Sequence, residues 1–401
     1  MPLTPSPAGT LSIPRAAPIV FQNSGEPVGG RLANYWQEWE SLGASPWIVS
    51  ILRRGFRIQF HRQPLLSRNP IPFSLPGAHA KRIALAHEIS EMRAKNVLEE
   101  VTTSSSGFYS ILFLTPKSSG GWRPVIDLSS LNKQVKTPKF VMETAESIRL
   151  ALPKDAWVVS LDLKDAFFHI PIHPGSRKYL RFVHRGTVYQ YRALPFGLSP
   201  APWIFTMVVK ELQILAHKEG IFLFQYLDDW IIYHQSPEIL TCHLRWVLDL
   251  CKRMGLLVNL QKSELVPAQR FVFVGYQYDT PRGLVFPTDE RVGKIRALLS
   301  RFLLHSQTAQ TWQCMLGLLA ATEKLVPFGR LHMRELQIDL RSQWSAARDP
   351  PQELVTLSSA GRTSILWWLS EDNLRRGSPF RQPPPSRHLF TDASTEGWGW
   401  V

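Results

Sequence analysis

Three aspartates set the chemistry open to this chain. Asp228 and Asp229 stand side by side between Ile221-Phe222-Leu223-Phe224-Gln225 and Trp230-Ile231-Ile232-Tyr233. These two aromatic and β-branched runs predict strands joined by a tight turn. Two carboxylates at a hairpin tip suit an ordinary solvated turn, where Asp is favoured for its local hydrogen bonds; they also suit a metal site. Asp162 weighs on the second reading, because it ends the apolar run Trp157-Val158-Val159-Ser160-Leu161. A strand buried on both faces would desolvate that carboxylate unless a partner or a cation stood beside it. Mg²⁺ takes oxygen ligands, commonly one or two carboxylates with phosphates and water. Two such ions about 3.5–4 Å apart clamp an in-line phosphoryl displacement, which is polymerase or nuclease chemistry and needs no protein nucleophile.

Other motifs fall in order around these acids. Upstream is Trp122-Arg123-Pro124-Val125-Ile126-Asp127-Leu128 with Leu131-Asn132, and Asp162 itself lies in Leu161-Asp162-Leu163-Lys164-Asp165-Ala166-Phe167. Between the acids comes Leu194-Pro195-Phe196-Gly197-Leu198-Ser199-Pro200-Ala201-Pro202. After Tyr226-Leu227-Asp228-Asp229 come Gly255-Leu256-Leu257-Val258-Asn259-Leu260-Gln261-Lys262-Ser263 and Phe271-Val272-Phe273-Val274-Gly275-Tyr276. The series resembles the reverse transcriptase of a retroelement, the DIRS-type retrotransposon polymerase most nearly, and is similar to those of gypsy-type LTR retrotransposons and plant pararetroviruses. It is strong over roughly residues 80–290 and weaker on either side.

The resemblance implies an α+β fold, a right-hand polymerase of palm, fingers and thumb with an antiparallel palm sheet backed by helices, followed by a helical connection. It implies RNA-directed DNA synthesis with Asp162, Asp228 and Asp229 as catalytic ligands of two Mg²⁺ ions, Mn²⁺ serving as a substitute. Nucleotide binding falls to Lys117, Arg123, Asp165, Ala166, Phe167, Phe196, Gly197 and Lys262. Physical roles can be given to several of these. An Arg fork grips phosphate at two points and a Lys supplies a point charge; backbone N–H groups on the turn at Asp165–Phe167 can face a triphosphate. A flat Phe167 would exclude a ribose 2′-hydroxyl; a plain core aromatic is the other reading of that residue. Gly197 permits close backbone approach, and Phe273, Gly275 and Tyr276 match the primer grip. The implied partners are an RNA template, a DNA primer, their RNA/DNA hybrid and dNTPs.

Composition suits a polyanionic partner: 46 Lys and Arg against 32 Asp and Glu give a net charge of +14. Three cysteines without paired zinc spacing suit a reducing compartment. No apolar run reaches the roughly 18 residues of a membrane span, so a soluble intracellular protein without membrane contact is expected. Residues 1–30, rich in Pro, Gly, Ser and Ala, read as a disordered leader. Residues 31–80 form an N-terminal extension, in which Trp36, Trp39, Leu42, Trp47, Ile48 and Leu52 predict a helical stripe and Gly55–Phe60 a strand. Fingers and palm follow over 81–280, opening with a helix from Lys81 to Val101, and a helical thumb and connection over 281–385. The stretch 386–401, with Leu389-Phe390-Thr391-Asp392-Ala393-Ser394, resembles the start of an RNase H domain in which Asp392 would be a metal ligand. Because the sequence ends at Val401, no RNase H activity of its own is expected. A non-catalytic nucleic-acid-binding remnant and an RNA-templated RNA polymerase are the alternatives; the intact aspartates disfavour the first and Phe167 the second.

Overall fold

A computed structural model describes residues 25–69, 79–101, 105–116, 120–381, 391–393 and 398–400. Its contacts divide the chain into two compact units. One takes the residues up to Glu143 together with Trp157–Ala268; the other takes Thr144–Ala156 together with Gln269 onwards.

The first unit opens with the N-terminal extension. One helical stripe is predicted here, but the chain forms two helices, Trp36–Ser41 and Pro46–Arg54. The break falls at Gly43, whose φ of +78° only glycine adopts readily. The second helix restarts on Ser45, whose hydroxyl accepts the Ile48 N–H, with Pro46 in its first turn. Gly55–Phe60 does not form the predicted strand. Phe56 bridges to Ile172 and Phe60 to Val135, single contacts on two different neighbours, so no continuous ladder develops. The helix predicted over Lys81–Val101 runs only over His79–Ala94, because Asn96 turns left-handed at φ +59° and releases Leu98–Glu100 as a strand.

The strands of this unit are β1 (Leu98–Glu100), β2 (Leu112–Pro116), β3 (Trp122–Ile126), β4 (Trp157–Asp162), β5 (Arg181–His184), β6 (Thr187–Tyr191), β7 (Phe222–Tyr226), β8 (Asp229–His234) and β9 (Glu264–Ala268). All pair antiparallel, as β1-β6-β5, β2-β3 and β7-β8-β4-β9. The last of these sheets carries the aspartates. The helix Ala201–Lys218 packs on β7 through a stripe that includes Ile204, Val208 and Leu212, as its spacing predicts. A second helix, Pro237–Arg253, packs on β8 and β4 through Leu240, Leu244 and Val247. The extension shares this core: Trp39, Ile48 and Leu52 are buried within the same apolar cluster as Leu161, Trp230 and Ile232.

The second unit holds β10 (Arg270–Phe273), β11 (Tyr276–Asp279) and β12 (Leu284–Pro287), again antiparallel. Past Pro287 the second unit is mostly helical. Thr288 caps the helix Asp289–Leu304 by accepting the Arg291 N–H, and Val292, Ile295, Leu299 and Phe302 are buried. Trp312, Met315 and Leu319 form the buried stripe of the helix Ala309–Ala320, with Leu316 half-buried at its border. Thr391–Ala393 pairs with Trp398–Trp400, Asp392 opposite Gly399. No helix among the described residues is long and apolar enough to cross a membrane.

Candidate active site

The register of β4 against β8 decides the site, for it sets Asp162 directly opposite Asp229. In the β7–β8 hairpin Tyr226 faces Asp229, which leaves Leu227 and Asp228 as a two-residue turn. Leu227 takes φ +53°, a conformation usually left to glycine in such turns. The buried Trp230 holds it there, its indole N–H donating to the Leu227 carbonyl at 2.9 Å. The Leu163 N–H donates to the Asp228 carbonyl, also at 2.9 Å, so the tip is tied to the chain leaving β4. Three aspartates thus lie at one end of two paired strands.

A third segment, Leu257–Asn259, closes this end of the sheet. The Asn259 N–H donates to the Asp162 carbonyl at 2.7 Å, and the Asp162 N–H donates to the Ser263 hydroxyl at 3.0 Å. His169, fully buried, accepts the Leu257 N–H on Nε2 at 3.0 Å, so Nδ1 carries the hydrogen and donates to the Ala166 carbonyl at 3.0 Å. Burial first of all holds that imidazole down to about 4, neutral at any working pH. It clips the turn after Asp162 to the segment before Lys262.

The charges around the aspartates are unbalanced. Asp229 keeps a water-facing edge, yet protein replaces much of the solvent around its carboxylate. That desolvation, then the charges of Asp228 and Asp162, pushes it up to about 6, and Lys262 opposes the rise. Asp162 is also raised, mainly by desolvation, against the pull of Lys262 and a hydrogen bond from Asn259. A carboxyl held high in the folded state costs stability where both states are ionised, and the cost fades as pH falls through 6 towards the unfolded value. Asp229→Asn is therefore expected to stabilise the fold in chelator at pH 7.5 by on the order of 1 kcal/mol once solvent screening is allowed for, read as a higher melting temperature. The gain should shrink at pH 5; an equal gain at both values would refute the charge account.

The donor set is all carboxylate oxygen, which fits a hard divalent cation such as Mg²⁺. Among the described residues no three carboxylate, imidazole or thiol groups are already gathered so as to hold a metal ion.

The other expected site residues are placed as follows. Asp165 adopts φ +53° at the head of a short helical turn and pairs with Lys95 at 2.9 Å. Ala166 and Phe167 are buried, the Phe167 ring packing on Phe196 at 4.9 Å and on Phe205 at 5.6 Å. Arg123 is exposed on β3, its guanidinium 5.7 Å from the Phe196 ring centroid. Gly197 takes φ +95°, and a Cβ there would stand 2.9 Å from the Ile126 carbonyl oxygen. Asn132 fixes this loop, donating to the Gly197 carbonyl at 2.8 Å and accepting the Ser199 N–H at 2.9 Å. Lys262 is exposed. Lys117 lies outside the described residues, as does the side chain of Asp392. In the second unit, Val274 and Gly275 turn between β10 and β11 at φ +46° and +73°, and the flanking Phe273 and Tyr276 are buried.

Sequence reading missed Lys95, Asn132, His169, Asn259 and Ser263 as parts of the site. Asn132, Asn259 and Ser263 lay inside quoted motifs, but nothing in the motifs gave their partners.

Residues 115–278 match the family model for reverse transcriptase (RNA-dependent DNA polymerase). Protein P of duck hepatitis B virus (strain China) is 25% identical over 332 residues, 80% of this chain and 40% of the viral protein. A polyprotein of cassava vein mosaic virus is 28% identical over 196 residues, 48% of this chain and 29% of the other. The chain thus spans about two fifths, or less, of the length of these curated relatives. The foamy viral protease-reverse transcriptase solved with an RNA/DNA hybrid superposes with a TM-score of 0.64 at 18% identity, covering 94% of this chain and 50% of that one. The same protein with double-stranded DNA gives 0.66 over 95% and 78%. Over residues 115–278 the chain is thus similar to reverse transcriptases, and its fold is that of a right-hand polymerase.

Proposed function

We propose that the protein is the RNA-directed DNA polymerase of a retrotransposon, DIRS-type by its motifs, extending a DNA primer on an RNA template with dNTPs. The register that sets Asp162 opposite Asp229, with Asp228 at the adjoining turn, is the observation that carries the reading. Asp162, Asp228 and Asp229 would hold the divalent cations, Mg²⁺ or Mn²⁺ in its place, that neutralise phosphate charge and acidify the primer hydroxyl when bound. The chain's own residues prepare that site. Asn259 and Ser263 fix the backbone of Asp162; Lys262 and the exposed Arg123 offer cations to phosphates; and the loop at Gly197, braced by Asn132, leaves room for substrate against bare backbone.

The test is extension of an oligo-dT primer on a poly(rA) template with dTTP and Mg²⁺. Extension that stops on chelation is expected. A folded protein that binds the primed template and adds no nucleotide would overturn the proposal and favour a binding remnant.

Phe167 supplies a second check. As the wall beneath the sugar, its replacement in Phe167→Ala should lower discrimination against ribonucleotides by about 10–100-fold, the scale of a lost steric contact. The packing of Phe167 on Phe196 and Phe205 means the variant also loses stability, so discrimination is read as a ratio of UTP to dTTP incorporation. An unchanged ratio would leave Phe167 a core residue only.

A further inference from the structure

A pocket of about 250 Å³ in the first unit lies among residues that none of the polymerase roles uses. Its walls come from the N-terminal extension (Trp47, Arg54, Arg57) and from Lys136, His173 and Trp203. The two tryptophan rings lie 5.2 Å apart, tilted by 44°, and Trp47 is 40% exposed, so an aromatic surface faces the opening. Not one of the residues that line it is acidic, although three are Arg or Lys.

The walls are fixed by main-chain bonds. The Phe56 N–H donates to the Pro171 carbonyl at 2.7 Å, the His173 N–H to the Phe56 carbonyl at 3.0 Å, and the Lys136 N–H to the Gln59 carbonyl at 2.8 Å. Gly55 makes the close approach possible: at φ +85° a Cβ would fall 2.4 Å from the His173 nitrogen.

One contact inside the pocket lacks an acceptor. His173 Nδ1 faces the Gly175 N–H at 3.1 Å and Nε2 faces Arg57 Nη2 at 3.0 Å. Both neighbours are donors, and an imidazole ring accepts on one nitrogen at most. With Nδ1 accepting from Gly175, Nε2–H and the Arg57 guanidinium confront each other as two donors. An anionic oxygen beside them would accept from both. Desolvation and the nearby Arg57, Arg177 and Arg54 keep the ring below its usual pKa and neutral, so it can act as such a donor without adding a further charge.

We propose that this pocket holds one nucleotide of a single-stranded nucleic acid, its base on Trp47 and Trp203 and its phosphates on Arg54, Arg57 and Lys136. Aromatic platforms beside a cationic groove bind single strands without reading sequence, and the volume suits one base rather than several. A free nucleoside triphosphate offers the same chemistry, and the experiment separates the two sources. The inference does not rest on the polymerase reading, since binding is measured without Mg²⁺ or catalysis.

Fluorescence anisotropy of 5′-fluorescein-labelled dT₁₂ would be followed on the 401-residue protein, with unlabelled dTTP titrated separately. Arg57→Gln with Lys136→Gln should weaken dT₁₂ by about tenfold and flatten its dependence on salt by about one to two phosphate contacts. Trp47→Ala should weaken it about tenfold with the salt dependence unchanged. Lys218→Gln with Lys252→Gln, exposed cations elsewhere, should stay within about twofold. Thermal melting checks that each variant is folded. Folded pocket variants that bind dT₁₂ like the parent, or no more weakly than the Lys218 and Lys252 control, would overturn the site. Loss of dTTP binding with dT₁₂ unchanged would overturn the strand as its occupant.

Discussion

Primer extension on RNA is expected to fall by at least about a thousandfold, some 4 kcal/mol of transition-state stabilisation, when Asp228→Asn and Asp229→Asn are combined. The hairpin should survive, because its turn is held by the Trp230 indole and the Leu163 N–H, both of which donate to backbone carbonyls. What disappears is negative charge at the point where Asp162 and Asp229 face each other. Asn keeps the shape of each side chain and can offer an oxygen, but not the anion a hard cation needs to shed part of its hydration. The variant should therefore melt at or above the parent temperature in chelator and bind primed template as well as the parent, while adding no nucleotide. Residual extension within tenfold of the parent in a folded variant would remove these two residues from the chemistry. The same residue then shows opposite effects on stability and on activity, as expected where function keeps like charges together at a cost to the fold.

Trp39→Ala is expected to destabilise the protein by about 4 kcal/mol, the upper range for deleting a buried aromatic. Trp39 is 1% exposed, and its indole N–H donates to the Met254 carbonyl at 3.0 Å. The substitution leaves a cavity and strands that carbonyl at the end of the helix Pro237–Arg253, which backs β8 and β4. Chemical denaturation would read the loss. A loss below about 1 kcal/mol would mean that the extension is an appendage, and that its sharing of the core carries little energy.

The aspartates were legible in the sequence because strand and turn signals around them are local: the apolar run ending at Asp162, and two β-branched and aromatic runs flanking a two-residue gap. Their register was not legible, since it depends on which residue of β8 meets which of β4. Side chains whose role is to accept or donate over long separations were missed for the same reason. Nothing near His169 points to Leu257, and nothing near Asn132 points to Gly197. One failure was a local signal overridden by tertiary contact, the other a helix end that the sequence left unmarked. Gly55–Phe60 alternates like a strand, but its neighbours at Ile172 and Val135 lie on separate segments. The helix begun at His79 was read too long because Asn96, able to enter the left-handed region, ends it without any Gly or Pro to mark the spot.

The chain crosses between its two units at Glu143, at Ala156 and at Ala268, and this bears on the order in which they can form during synthesis. The sheet that carries the aspartates stays incomplete until β9, Glu264–Ala268, has emerged, because β9 pairs with β4. By then Thr144–Ala156 has long been waiting for partners made later: Tyr278 donates its hydroxyl hydrogen to the Ala145 carbonyl, and Arg149 bonds to the Pro379 and Lys324 carbonyls. A nascent chain stalled near residue 268 would hold a finished first unit with Ala145, Ile148 and Leu152 still uncovered. Such an intermediate would be a natural substrate for a chaperone that grips short apolar segments.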